Sequence, residues 1–426
     1  MPESTHVDSY YAASANPSAA RAALVESVDC DVCVIGAGLT GAAAALELAQ
    51  RGYHVVVLEA ERVGWGASGR SGGQLITGYG CDITTLEHLV GPEDSKRLWR
   101  LSVEAVELVG EWVASFGIAC DLKWGQLHAA IKPRQERELE AWQAHLQQIY
   151  GYEGLRLLRG PEVGQIVRSE RYRAGLLDPH SGHLHPLNYN LGLADAAERA
   201  GARIFENSRA IAVRMSEHPQ VETAAGRVRC RFVLFCGNAY LDRLRPDLRR
   251  TIMPVGTYIV ATEPLGTELA ARLMPTDAAV ADINFVLDYF RLAADRRLLF
   301  GGRVSYSTLQ PRNLPRAMRG RMIRVFPELE QIRIEFAWGG YVAITMNRAP
   351  HFGRVAPNAF FAQGYSGHGM ALTSLAGKIL AEAVAGTAER LDVFARIPHQ
   401  PFPGGRALRM PALVLAMFYY RLRDLL

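Results

Sequence analysis

The order of sequence patterns predicts an α/β chain: one parallel-sheet domain assembled from separated pieces, with a mainly antiparallel β domain inserted between them. Three observations carry this. A βαβ pattern fills residues 31–59, with an apolar run at 31–35, a glycine turn at 36–41, helix formers at 42–50 and a second apolar run at 54–58. That is the repeating unit of a parallel sheet. Residues 251–345 alternate Thr, Tyr, Val and Ile as strands do. A strand, a glycine loop and a helix then return at 359–362, 363–369 and 370–385.

Composition narrows the function classes. The chain has 426 residues, 49% hydrophobic and 21% charged, which excludes a largely disordered protein. That length gives a prior of about three domains, or two larger ones. A net charge of +4, from 47 basic and 43 acidic residues, leaves no electrostatic footprint for nucleic acid. No apolar run approaches the roughly 20 residues of a membrane span. Residues 1–27 lack the charged start and apolar run of a signal peptide. Six cysteines do not make a disulfide framework. The expectation is a soluble, cytoplasmic protein. Nothing in the sequence specifies an oligomeric state.

Taken in order, residues 1–28 read as an extended arm. The helix at 42–50 closes at Arg51-Gly52, with glycine in the left-handed position after it. Apolar residues at helical spacing (Leu98, Leu101, Val106, Val109, Val113) predict a helix over 92–116, and 134–149 reads as a charged amphipathic helix. A helix at 187–200 precedes a short strand at 203–205, and 228–236 reads as one strand entering the turn Gly237-Asn238.

Three motifs carry chemistry. In Gly36-Ala37-Gly38-Leu39-Thr40-Gly41, between strand and helix, Gly36 permits the tight turn. Gly38 admits a pyrophosphate to the backbone, and Gly41 lets helix pack on strand. The helix N-terminus offers free N–H groups and a positive dipole end. Glu59 ends the second strand, where a carboxylate binds ribose hydroxyls; an acid there favours FAD or NAD over NADP. The second motif is 62–74, RVGWGASGRSGGQ, rich in Gly and Ser and so open to a large planar ligand. Its backbone N–H groups can form an anion nest, which separates FAD from NAD; the competing reading is a surface loop. The third is Gly364-Tyr365-Ser366-Gly367-His368-Gly369-Met370, leading into a helix whose dipole would stabilise a reduced flavin. His368 is expected to be exposed there, with a structural hydrogen bond or a direct flavin contact both open.

The strings SYYAASANP (9–17), DVCVIGAGLTG (31–41), GWGASGRSGGQ (64–74), SGHLHPLN (181–188), GNAYL (237–241), LDYFRL (287–292), QGYSGHG (363–369) and PHQPFPGGR (398–406) cover essentially the whole chain. In them the sequence resembles the γ-glutamylputrescine oxidoreductases, a polyamine-catabolic branch of the D-amino-acid-oxidase-type flavoproteins. The resemblance implies a Rossmann-like FAD-binding domain of glycine-oxidase type with an inserted substrate domain. It implies an FAD-dependent enzyme acting on the CH–NH bond of a polyamine derivative. A hydride would pass to flavin N5, giving an imine and then an aldehyde, with oxygen as acceptor giving hydrogen peroxide.

Carried over by residue, the resemblance places Gly36, Ala37, Gly38, Thr40 and Gly41 at the pyrophosphate and Glu59 and Ala60 at the ribose. It places Ala67, Ser68, Arg70, Ser71, Gly72, Gly73 and Gln74 along the flavin and Ala210 at the adenine. Gly237, Gly367, His368, Gly369 and Met370 complete the cradle. Related sarcosine oxidases bind the substrate carboxylate with a lysine after the glycine loop; here Ala371 holds that position. Segment 338–353 has no cysteine for covalent flavin attachment, so noncovalent FAD is expected. The implied domain division is an arm 1–28, an FAD domain 29–90, 155–245 and 346–405, a substrate domain 91–154 and 246–345, and a C-terminal helix 406–426.

For an amine substrate, aromatic walls and a few carboxylates suit the pocket. Asp282, Asp288, Tyr289, Phe290, Tyr306 and Trp338 are the candidates, against ordinary strand packing. His368, Arg348 and Tyr365 are candidate catalytic groups, and no general base is singled out. Cys30 and Cys33 point to opposite faces of a strand, and His183 and His185 lack an evident third ligand, so no metal site is expected. The 411–426 helix reads as docking on the protein's own surface, a subunit interface or a peripheral membrane contact. The chain's four lysines are Lys96, Lys123, Lys132 and Lys378, so the late inserted strands supply no lysine to assist oxygen. Arg303 is a cation there, and a quinone is the alternative acceptor. The rivals are an amine or amino-acid dehydrogenase of the same superfamily and a non-catalytic flavin-binding partner protein.

Overall fold

The structure, a computed structural model, describes residues 5–302 and 313–403. The candidates Tyr306 and Arg303 and the expected 406–426 helix lie outside the described residues.

The first sheet has six strands in the order His351–Ala356, Ala359–Gln363, Phe232–Phe235, Val32–Ile35, Val55–Leu58, Arg203–Phe205. All neighbours pair in parallel except His351–Ala356 with Ala359–Gln363. The runs VCVI and VVVL are buried at every position because both faces are covered. Side chains alternate: Val32 and Val34 pack with the helices Leu39–Gln50 and Gly369–Val384, while Cys33 and Ile35 pack with Val221 and Val228. The latter two belong to a small four-stranded sheet, so helices cover one face and that sheet the other.

Among the described residues the second sheet has nine strands. Its order runs Ile334–Ile344, Met253–Thr262, Leu298–Gly302, Asp288–Leu292, Ala279–Asp282, Lys123–Ala130, Ala174–His183, Gln74–Leu75, with Arg156–Arg159 paired to Ala174–His183. One face packs Phe290, Phe300 and Val280 against Met318 and Met322 of the helix Leu314–Val325. The other face looks toward the parallel sheet.

Several expectations change. The strands Arg156–Arg159 and Ala174–His183 pair into the second sheet rather than the parallel one, whereas the expected division resumes the nucleotide domain at 155. The stretch 228–236 is two strands in two sheets, Arg227–Arg229 and Phe232–Phe235, because the chain steps between sheets at Cys230 and Arg231. The helix expected over 92–116 extends back to Ile83, with a break at Gly91 (φ +79°) followed by Pro92. Its residues Leu98, Val106 and Val109 join the core beside the parallel sheet. The strand-rich region also holds the helices Gly266–Leu273 and Leu314–Val325. The arm is not merely extended: Tyr10–Ala13 forms one helical turn, capped by Ser9, and Tyr11 is fully buried. All six cysteines are free thiols. Among the described residues no helix is long and apolar enough to cross a membrane.

Candidate active site

A single cavity of about 1510 Å³ runs from the ends of the parallel strands, at Ile35 and Leu58, to the facing sheet, at His128, Ala281 and Tyr289. Pockets for drug-sized ligands are typically about 300–1,000 Å³, so this chamber has room for a large ligand and a second molecule beside it.

The glycine turn forms one end. Gly36 has φ +105°, a left-handed conformation that side chains disfavour. A Cβ on Gly41 would lie 1.8 Å from the Gly36 carbonyl, so only glycine lets the helix start there. A Cβ on Gly38 would lie 2.7 Å from Ser68 Oγ, which accepts the Leu39 N–H at 3.0 Å. The other N–H groups of the helix's first turn have no intrahelical acceptor, as an anion site requires. Gly36, Gly38 and Thr40 line the cavity, and Ala37 and Gly41 shape the turn behind it. Glu59 and Ala60 line it too. The Glu59 carboxylate accepts the Ala37 N–H at 2.7 Å and the Glu61 N–H at 3.0 Å, and burial raises its pKa. Its remaining lone pairs can accept ribose hydroxyls. Ala210 and Gly237 close this end.

The 64–74 loop forms the middle, and Ala67, Ser68, Arg70, Ser71, Gly72, Gly73 and Gln74 all line the cavity. The loop's shape is set by side chains from far along the chain. Trp338 Nε1 donates to the Arg70 carbonyl at 3.0 Å, and Arg291 Nε donates to the Gly72 carbonyl at 2.7 Å. Across a trans peptide the Gly73 N–H points opposite to the Gly72 carbonyl. Gln74 Nε2 donates to the Val280 carbonyl at 3.0 Å, fastening the loop to the second sheet.

The third motif closes the far side, with Gly367, His368, Gly369 and Met370 on the wall. Met370 Sδ accepts the Ser71 hydroxyl at 3.3 Å, joining the two loops. Tyr365 lines the cavity, but its hydroxyl is bonded to Thr40 Oγ1 at 2.7 Å and burial raises its pKa far out of reach of proton chemistry. His368 is half-buried on the cavity wall, not exposed as expected. Burial first, then the Arg348 charge, lowers its pKa to about 3, so the ring is neutral. Arg348 also lines the cavity, with its guanidinium 5.2 Å from the Phe285 ring centroid and its backbone at φ +60°.

The substrate candidates divide by strand alternation. Tyr289 lines the cavity. Asp288 and Phe290, its neighbours, face the other side: Asp288 pairs with Arg321, and Phe290 stacks 5.7 Å from Phe300 in the apolar core. Asp282 also lines the cavity, at the end of the strand Ala279–Asp282, and burial, then Asp288, raises its carboxyl to about 7. Trp338 is buried and spends its N–H on the Arg70 carbonyl, so it supports the loop and does not touch the chamber. The aromatic wall is instead Tyr289, Phe285, Tyr341 and Trp142, with His128 among them. His128 lies 4.9 Å from Trp142, edge-on, and burial lowers its pKa to about 4. His128 was missed because it precedes the strand-rich region; its apolar neighbours Leu127, Ala129 and Ala130 marked a buried strand. His183 and His185 are buried: His183 Nε2 bonds the Asp277 carbonyl at 2.8 Å, and His185 caps the helix Pro186–Arg199.

A family model described as FAD dependent oxidoreductase matches residues 31–383. The γ-glutamylputrescine oxidoreductase of Escherichia coli (strain K12) is 43% identical over 98% of this chain and 98% of its own length. A probable oxidoreductase OrdL of Haemophilus influenzae is 41% identical over 98% of this chain and 97% of its own. Among solved structures, the glycine oxidase of Geobacillus kaustophilus superposes with a TM-score of 0.72 at 21% identity, covering 88% of this chain and 100% of that one, a likeness of fold.

Proposed function

The chain belongs to the FAD-dependent oxidoreductase family, and from that premise we propose that it oxidises a terminal amine of an extended polyamine derivative of the γ-glutamylputrescine type. The observation that carries this is the chamber itself. It continues past the glycine loops to Trp142, Glu138 and Arg134 of the helix Pro133–Tyr150, far more room than glycine or sarcosine needs. Ala371, buried on the helix Gly369–Val384, offers no cation to a small amino acid's carboxylate.

In this reading the first-turn N–H groups and dipole of Leu39–Gln50 hold the pyrophosphate, and Glu59 holds the ribose. Ser68 to Gln74 and Gly367 to Met370 border the ring system. The bound flavin supplies a two-electron oxidation, accepting a hydride from the carbon beside the amine nitrogen. The imine product takes up water to give aldehyde and ammonia. Attachment is noncovalent: burial pushes the cavity thiols Cys81 and Cys236 up to about 12, so neither is a ready nucleophile.

The residues around the reacting amine set its protonation. A wall that lowers His368 to about 3 and His128 to about 4, beside the Arg348 guanidinium, also disfavours an ammonium. Such a wall favours the neutral amine, whose nitrogen lone pair drives hydride departure. Tyr289, Phe285 and Trp142 fix the chain by packing. The test is kcat/KM across γ-glutamylputrescine, putrescine, spermidine, their acetylated forms, sarcosine and D-amino acids. The polyamine derivatives are expected to lead; a higher value for sarcosine or any D-amino acid overturns the reading.

The acceptor follows from the lysine count. Residues 133–377 contain no lysine and none lines the cavity, so no compact ammonium sits ready to favour superoxide. Reduced enzyme is expected to react slowly with oxygen and faster with a soluble quinone in stopped flow. Fast oxygen reoxidation without quinone activity contradicts this.

A further inference from the structure

The N-terminal segment is fastened to the 64–74 loop directly at Trp65 and indirectly through buried side chains. Trp65 Nε1 donates to the Thr5 carbonyl at 3.1 Å. Tyr11 is fully buried, 5.2 Å and edge-on from Trp338, and its hydroxyl accepts from Arg291 Nη2 at 3.1 Å. The Arg291 guanidinium, itself 4% exposed, also donates to the carbonyls of Gly72 at 2.7 Å and Leu184 at 2.8 Å. Trp338 holds the Arg70 carbonyl. Farther along the arm, Ser14 Oγ meets His185 Nε2 at 3.1 Å and the Asn16 N–H donates to Asn188 Oδ1 at 2.8 Å.

Two carbonyls of the loop, at Arg70 and Gly72, are thus pulled away from the chamber by side chains of the second sheet. Those side chains are in turn packed and bonded by Tyr11. A glycine-rich loop has little shape of its own, since glycine surrenders the most backbone freedom on ordering. Its ordering must come from outside.

We infer that residues 5–16 are a latch that keeps the flavin loop in its cofactor-holding shape, with Arg291 and Trp338 as positioning residues between arm and loop. The inference rests on the reading of 64–74 as flavin-bordering. Neither side chain lines the chamber, so each acts through the loop's backbone. Removing the latch leaves the glycine turn intact and loosens the ring system's hold.

The test measures FAD dissociation constants by reconstituting apoprotein of the full chain, and thermal unfolding with and without FAD. Arg291→Gln is expected to weaken FAD about tenfold, since hydrogen bonds from a buried charge are the strong ones. Trp338→Phe, which keeps an aromatic side chain but loses the indole N–H, and Tyr11→Phe, which loses only the hydroxyl, are expected to weaken it about threefold each. The midpoint of the FAD-bound form should fall further than that of the apoprotein, because the lost affinity appears only where ligand is bound. Arg291→Lys should recover part of the affinity through one retained bond to Gly72. If Arg291→Gln does not fold, the two single-group variants decide. Unchanged FAD affinity in those variants, with equal losses in apo and bound forms, overturns the latch. Ser71→Leu separates the two readings. Should it abolish FAD binding while the latch variants bind normally, the latch alone fails; should it too bind normally, the flavin-loop reading and the latch both fall.

Discussion

The two glycine-rich segments that border the first end and the middle of the chamber are built in opposite ways. The 36–41 turn is held by its own backbone: Gly41 packs against the Gly36 carbonyl, and the strand and helix on either side set the geometry. The 64–74 loop is held by residues up to 268 positions away, through Trp338 and Arg291. A local device is readable as a spacing of glycines. A loop tied down from a distance shows only its composition, and the ties look like unrelated core residues.

Gly38→Val breaks the self-contained turn and carries the largest expected effect. The added branch would meet Ser68 Oγ and fill the approach to the helix N-terminus. Purified protein is expected to be colourless, and full yellow colour would contradict the site. The latch variants described above form the counterpart, with graded losses of affinity, because the loop's supports are several and separate.

This contrast explains what the sequence disclosed. The βαβ unit, the glycine turn and Glu59 were legible because strand, turn and helix follow one another within about 30 residues. Trp338, Asp288 and Phe290 looked like pocket residues because composition shows an aromatic or a carboxylate but not its strand phase. One step along a strand exchanges pocket for core: Tyr289 faces the chamber, and Phe290 stacks on Phe300. The SYYAASANP string carried a signal that the reading as an extended arm passed over. Two adjacent tyrosines are a large apolar load for an extended arm, and both are buried here.

A smaller effect separates the regions by pH. Burial, then Arg291, lowers His185 to about 3, while its Nδ1 accepts the Asn188 N–H and its Nε2 meets Ser14 of the arm. The unfolded chain, with histidine near 6.5, binds more protons than the native one between about pH 6.5 and pH 3. Stability is therefore full above about pH 6.5 and falls as pH drops toward the folded value. His183, lowered to about 3 chiefly by burial, adds in the same direction. Thermal midpoints measured from neutral to acid pH should be flat and then decline, and His185→Gln should shallow the decline. A midpoint that stays level down to about pH 4.5 would sink this account of the arm's anchor.

The smallest effect concerns Tyr365. Its hydroxyl bridges to Thr40 across the chamber wall, so Tyr365→Phe should cost about 1 kcal/mol of stability and leave turnover intact. A collapse of kcat with unchanged stability would return Tyr365 to the catalytic group.

On the proposed function both loops serve one end, holding a flavin against an amine in a long chamber. That claim is tested most directly by mixing oxidised protein with substrate under anaerobic conditions and following the flavin absorbance. γ-Glutamylputrescine should bleach the yellow band completely and faster than putrescine, with sarcosine leaving it essentially unchanged. An unbleached spectrum with every amine, or bleaching by sarcosine ahead of the polyamine derivatives, would contradict the account.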